Sequence, residues 1–160
     1  ETGIYGKNRW KSLTNLSLSI GQDALLTTPI QMANMTAAIA NRGYYYTPHI
    51  VKSIENDSID DRFSKPIRTM VDSSLFEIVI KGMQEVVEDE ELGTSNIAKM
   101  ENITVCGKTG TAQNPHGEDH SIFIGFAPKD NPKIALAVYV ENGGWGSTWA
   151  VPIALSLIHI

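Results

Sequence analysis

The sequence predicts an α+β fold, and three observations carry that prediction. Apolar residues recur at helical spacing in two separate stretches of the first part of the chain. After residue 102 the period changes to two, over three short apolar runs. The last two runs are joined by a tight turn, which only an antiparallel pair accepts, so an antiparallel sheet packed with helices is expected.

The elements follow in order. Residues 1–22 are polar and punctuated by glycine, with Trp10 and a short apolar alternation at Leu16, Leu18 and Ile20 before Gly21-Gln22. Thr27-Thr28-Pro29 supplies a capping hydroxyl and a proline at the first helical position. Ile30, Ala33, Ala37 and Ala40 then recur at helical spacing, and Asn41-Arg42-Gly43 gives a cationic last turn and a glycine stop. Tyr44–Thr47 is expected as a short half-buried strand closed by Pro48, His49–Ile54 as a further extended piece, and 55–71 as a charged connection. Asp72 caps a second helix with Leu75, Ile78, Val79, Met83, Val86 and Val87 on one stripe. The run Glu88-Asp89-Glu90-Glu91 opposes the helix dipole, so the helix should fray there before Gly93. Met32, Met35 and Met83 stand at core spacing.

Ile103–Cys106 is expected as a strand leading into Gly107-Lys108-Thr109-Gly110-Thr111-Ala112-Gln113, Ser121–Ala127 as a second, and Ile134–Val140 as a third. Gly143-Gly144 breaks the third, and Thr148–Ala154 begins a final helix. Trp145 and Trp149 are expected to pack beneath that helix, with the mouth of a cleft as the alternative.

Composition narrows the function. With 160 residues, 42% apolar and 19% charged, the chain suits one domain with a real core, and disorder or low complexity is excluded. A net charge of −5 without a basic cluster argues against nucleic acid as a partner. The single Cys106 excludes an internal disulfide and any paired-cysteine zinc or redox motif; it is expected as a buried small hydrophobe, not a nucleophile. There is neither an apolar run long enough to span a membrane nor a leader pattern at the start. The chain starts at Glu1, inside what reads as ordinary domain sequence, as a truncated reading frame would. Residues 155–160, Leu-Ser-Leu-Ile-His-Ile, match one frame of a transposon mosaic end used in sequencing adapters. The expected domain is therefore 1–154 with a foreign tail at 155–160, against the alternative of a natural apolar helix end.

Gly107-Lys108-Thr109-Gly110-Thr111 has three readings. A phosphate loop needs a glycine five residues before Gly107, where Asn102 stands, and a helix where Gly110 would stop one. A plain glycine-rich turn with an exposed lysine is the second. The third is the Lys-Thr-Gly element of penicillin-recognising serine transferases. There a strand edge offers backbone groups to an extended ligand, Lys108 adds a fixed positive charge, Thr109 and Thr111 offer hydroxyls to a carboxylate, and Gly110 removes a side chain where the ligand lies. His116, Asp119 and His120 form a superficial zinc pattern. Pro115 and Gly117 argue against the helix that would align it, and a structural or substrate-loop role is favoured.

The resemblance extends well beyond this element. Ile20-Gly21-Gln22, Thr28-Pro29-Ile30-Gln31-Met32-Ala33, Ala40-Asn41-Arg42-Gly43 and Pro48-His49 resemble the helical region of class B penicillin-binding proteins after their active-site serine. Gly107–Gln113, Asp119–Pro128 and Val140–Gly144 resemble their third, fourth and fifth strands. The elongation-type members of rod growth are most similar, with the septal homologues as the nearest competitor.

That resemblance implies a peptidoglycan D,D-transpeptidase working through an acyl-serine. It implies D-Ala-D-Ala stem peptides as substrate, β-lactams as ligands, and neither cofactor nor metal. Lys108, Thr109, Gly110 and Thr111 would belong to the catalytic centre. Lys108 would help set its protonation, Thr109 and Thr111 would meet the carboxylate, the Thr111 N–H would donate into the oxyanion hole, and Gln113 would contact substrate. It also implies an inner-membrane anchor with a periplasmic catalytic domain, a SEDS-type glycosyltransferase partner and elongation machinery. No serine here is followed by lysine three positions on, and no S-x-N triplet occurs. The expected nucleophile therefore lies upstream, and this segment alone should be inactive. A non-catalytic β-lactam sensor or scaffold of the same fold, or a β-lactamase, are the alternatives.

Overall fold

In the computed structural model, which describes residues 10–22 and 25–159, three antiparallel strands form the frame. They are β3 (Cys106–Ala112), β4 (His120–Ala127) and β5 (Ile134–Val140), in the order β3-β4-β5. A second, two-stranded sheet pairs β1 (Tyr44–Tyr45) with β2 (Ile67–Arg68). The helices are α1 (Ser12–Ser19), α2 (Pro29–Ala40), α3 (Asp61–Ser64), α4 (Ser73–Glu88) and α5 (Ala150–Ile158), with a 3-10 turn at Asn96–Ala98. This is an α+β fold, as the change of period predicts.

Strand β4 is the spine because it is covered on both faces. Phe123 packs with Leu136, Val138, Ala150, Val151 and Ala154 on the α5 side. Phe126 packs with Cys106, Ala40, Phe76, Ile80 and Met83 on the side of α2 and α4. A strand buried on both faces needs apolar residues at both parities, which explains the nearly unbroken apolar run Ile122–Ala127. The pairing is in register throughout, with Gly107 opposite Gly125 and Thr109 opposite Phe123. The Phe123 ring lies over that glycine pair: a Cβ at Gly107 would come within 2.6 Å of Phe123 Cε2, and one at Gly125 within 2.7 Å of Cε1. Both positions are closed to any side chain.

The expected helix caps form. Thr28 accepts from the Gln31 N–H at its hydroxyl, the Gln31 side chain accepts from the Thr28 N–H at 2.8 Å, and Pro29 opens α2. Gly43 ends the turn after α2 at φ 108°, following Arg42 at φ 57°. Arg42 reaches Glu77 on α4 at 2.6 Å and ties the two helices together. Asp72 accepts from the Ser74 N–H and caps α4, which ends at Glu88, at the start of the acidic run.

Other expectations change. Leu16, Leu18 and Ile20 alternate in sequence but lie on or beside helix α1, whose stripe Leu13, Leu16 and Ile20 faces solvent. The buried stripe of α4 is Phe76, Ile80, Met83 and Val87; Leu75, Ile78 and Val79 are exposed. Met83 is buried, but Met35 is exposed. The connection 55–71 is more ordered than charge alone suggests, since it forms α3 and the strand β2 that completes the β1 pair. His49–Ile54 forms no strand with a neighbour. Ile103–Val105 precede the strand, and the glycine-rich element lies within β3 instead of after it. The final helix begins at Ala150 and runs to Ile158, whose side chain joins the α5-side core. Trp145 and Trp149 do not pack beneath that helix; their exposures are 76% and 57%.

The loop before α5 is pinned by one buried hydroxyl. Ser121 Oγ on β4 donates to Trp145 O at 3.0 Å and accepts from Ala150 N–H at 3.2 Å. The chain exposes 11169 Å², where a compact monomer of this mass exposes roughly 7,900 Å².

Two substitutions test this frame. Gly107→Ala must displace the Phe123 ring and should lower stability by about 1–3 kcal/mol. Ser121→Ala leaves the buried Ala150 N–H without a partner, while Trp145 O keeps the Thr148 N–H, and should lower it by a similar ~1–3 kcal/mol. Denaturant midpoints of the longer protein carrying this segment read both effects, and unchanged midpoints would refute the packing described.

Candidate functional site

Strand β3 is the edge of its sheet among the described residues, and Lys108–Thr111 occupy its middle. Alternation puts Lys108 and Gly110 on the α2 side with Cys106, and Thr109 and Thr111 on the α5 side with Gly107. The backbone groups of alternate residues in an antiparallel pair point the same way. Two side-chain bonds identify the outward set: Lys108 Nζ donates to Thr109 O at 2.9 Å, and Gln22 Nε2 donates to Thr111 O at 3.0 Å. Thr109 and Thr111 are thus the residues whose N–H and C=O face away from β4.

Each neighbour of this edge is placed by local structure. Thr94 Oγ1 lies 2.8 Å from Thr109 Oγ1. Its backbone is clamped between Gly93, whose N–H reaches Asp89 O, and Ser95, whose N–H reaches Val86 O. Asn96 closes the same turn by donating to Asp89 O. The loop held by Ser121 brings Gly146 against the motif, where a Cβ would lie 2.7 Å from Gly110 O. Gly110 itself is open on its own face, its nearest neighbour being Ile122 Cβ at 3.4 Å from where a Cβ would stand.

A cleft of about 1090 Å³ opens beyond the end of β3, between the sheet and the start of α2, lined among others by Gln22, Pro29, Met32, Gln113, Ile122 and Tyr139. Of the expected residues Gln113 lines it, whereas Lys108, Thr109, Gly110 and Thr111 lie along the adjoining edge. Lys108 is exposed. Cys106 is fully buried, and burial pushes its thiol up to about 11, so it stays protonated at neutral pH.

The His116-Asp119-His120 group is wired into the loop between β3 and β4. Asp119 Oδ1 accepts from the Asn114 N–H, and its carbonyl accepts from the Gly144 N–H. His120 Nδ1 accepts from the Asn142 N–H at 3.1 Å, which puts the ring proton of the neutral form on Nε2. These bonds join the start of β4 to the turn after β5, and Asp119 and His120 also line the cleft. No cluster of three His, Cys, Asp or Glu able to hold a metal occurs among the described residues. No helix among them is long and apolar enough to cross a membrane.

Of the residues singled out in the sequence, Lys108–Thr111 lie together on the edge strand; Thr94 was not singled out, and Gln22 was given no role. Nothing local marks Thr94, because its contact depends on the fold of the turn after α4. For Gln22 a signal exists: Gly21 follows a helix and permits a left-handed termination that fixes the residue after it.

Residues 1–159 match the penicillin binding protein transpeptidase domain. The chain is 34% identical to the peptidoglycan D,D-transpeptidase MrdA of Haemophilus influenzae, over 92% of its own length and 26% of that protein's. It therefore spans about a quarter of that relative. The crystal structure of Pseudomonas aeruginosa PBP2 in complex with WCK 5153 superposes with a TM-score of 0.81 at 38% identity, covering 93% of this chain and 32% of that one. The imipenem acyl-enzyme of penicillin-binding protein A from M. tuberculosis gives 0.76 at 29% identity, covering 93% and 34%. An edge strand bearing Lys-Thr-Gly, a helix on either face and a family match over nearly every residue lead to one conclusion: the chain belongs to the penicillin-binding protein transpeptidase domain family.

Proposed function

We propose that this segment supplies the Lys-Thr-Gly edge strand of a peptidoglycan D,D-transpeptidase that cross-links stem peptides and is acylated by β-lactams. The observation that carries the reading is the outward-facing edge of β3, with Lys108 and the Thr109 hydroxyl beside it. A stem peptide ending in D-Ala-D-Ala is extended and carries a terminal carboxylate. An unpaired strand edge holds the first feature and a lysine with two threonine hydroxyls the second.

The chemistry is acyl transfer. A serine hydroxyl from the rest of the domain adds to the penultimate D-Ala carbonyl, its proton passing to a neighbouring base. The tetrahedral oxyanion collapses, the peptide C–N bond breaks, and D-Ala leaves with a proton on its amine. An amine of a second stem then attacks the ester, forms the new amide and returns the serine. In this segment the Thr111 N–H, which points away from β4, donates to the oxyanion. Lys108 supplies positive charge that favours the ionised carboxylate and biases protonation nearby. Gln113, in the cleft, contacts the stem peptide beyond the reacting bond.

The missing groups have a physical counterpart here. Leu13, Leu16 and Ile20 on or beside α1, Leu75, Ile78 and Val79 on α4, and Ile153 and Leu157 on α5 face solvent. The surface excess over a compact chain points the same way, and we assign these faces to contacts with the remainder of the domain. The elongation-type resemblance supports a membrane-anchored, periplasmic enzyme acting with a SEDS-type glycosyltransferase and elongation partners.

The test is covalent labelling of the longer protein with a fluorescent penicillin, read by intact mass. One adduct on a serine of an S-x-x-K element is expected, with acylation slowed ~10–100-fold by Lys108→Ala and about 10-fold by Thr109→Val, the range for losing a charged or neutral hydrogen bond. A folded protein that takes no adduct would overturn the reading.

A further inference from the structure

The contact between Gln22 and Thr111 joins residues 89 apart in sequence and lies on the face of β3 that a ligand would use. It is also built. Helix α1 ends in a Schellman motif: Gly21 takes φ 77°, its N–H bonds to Leu18 O at 3.0 Å, and the Gln22 N–H bonds to Ser17 O at 3.0 Å. The backbone of Gln22 is thereby fixed at the mouth of the cleft, and its amide meets the Thr111 carbonyl from outside the sheet. A carbonyl oxygen has two lone pairs, so one donor leaves room for a second.

We propose that Gln22 is a positioning residue: its side-chain amide holds the Thr111–Ala112 peptide with the carbonyl directed out of the sheet, so that an amide N–H of an extended ligand can take the second lone pair. The inference rests on the transpeptidase reading above. A free edge strand has no neighbour to fix the orientation of its outward groups, and the end of such a strand frays first. Gln22 substitutes for that neighbour at the one carbonyl where β3 passes into the loop beginning at Gln113. Lys108 satisfies a second outward carbonyl, Thr109 O, from within the strand itself. Among the described residues, Gln22 is the side chain that ties a β3 edge carbonyl to a distant element.

The role separates ligands by chemistry. A penicillin with an acylamino side chain presents an amide N–H to the strand; a carbapenem such as imipenem carries no acylamino group. In the longer protein, Gln22→Ala should slow acylation by benzylpenicillin about 5-fold and change acylation by imipenem less than about 2-fold. Gln22→Glu keeps the size of the side chain and removes the donor at neutral pH, so it should reproduce the penicillin defect even if the alanine variant folds poorly. Equal losses for both ligands would make Gln22 merely structural and overturn the proposal, as would unchanged rates for both. A wild-type protein that neither ligand acylates would instead bring down the transpeptidase reading itself.

Discussion

The site depends on one packing constraint, the Phe123 ring lying over Gly107 and Gly125. These glycines face each other across β3 and β4, and the ring fills the space their side chains would take. A large aromatic on the strand buried on both faces fixes β4 in the core, and its contact with Gly107 fixes β3 against β4 in a single register. A slip of one residue would put a side chain of β3 under the ring. It would also exchange the faces of Lys108 and Thr109. The residue before the motif lysine is thus glycine for a packing reason, and the orientation of every motif residue follows from it.

The rest of the site is assembled around that register from three directions. The turn after α4 presents Thr94 to Thr109, the end of α1 presents Gln22 to Thr111, and the loop pinned by Ser121 lays Gly146 beside Gly110. These segments come from the two ends and the middle of the chain, and none contacts the motif through sequence proximity. What they share is that backbone hydrogen bonds or a buried hydroxyl fix each before it reaches the strand. An edge held from outside in this way keeps its outward groups oriented.

Much of this was legible in the sequence where the physics is local. Thr28-Pro29 with Gln31, Asp72, and Arg42-Gly43 specify helix ends through their own side chains and φ preferences, and all of them form. The hairpin of β4 and β5 follows from period and turn. Lys108–Thr111 are found in the expected order, but inside the strand, because an edge position tolerates two glycines that would weaken a central strand. The stripe on α4 was misjudged since Leu75, Ile78 and Val79 are apolar but belong to a face this segment leaves open. Trp145 and Trp149 fail for the same reason. Composition reports what a residue tends to bury against, not whether that neighbour lies within the same stretch of chain. Leu16, Leu18 and Ile20 were left without an element, because three alternate apolar residues cannot separate a strand from one and a half turns of helix.

The proposed function turns on the outward direction of the Thr109 and Thr111 N–H groups on the edge of β3, while the carbonyls of these residues accept from Lys108 and Gln22. Residue-resolved amide hydrogen exchange on the longer protein, free and acylated by a penicillin, measures it directly. The Lys108 and Gly110 amides, paired to β4, should exchange slowly in both states. Thr109 and Thr111 should exchange rapidly in the free protein and become protected on acylation. Protection of all four amides before ligand is added, or no change at Thr109 and Thr111 afterwards, would contradict it.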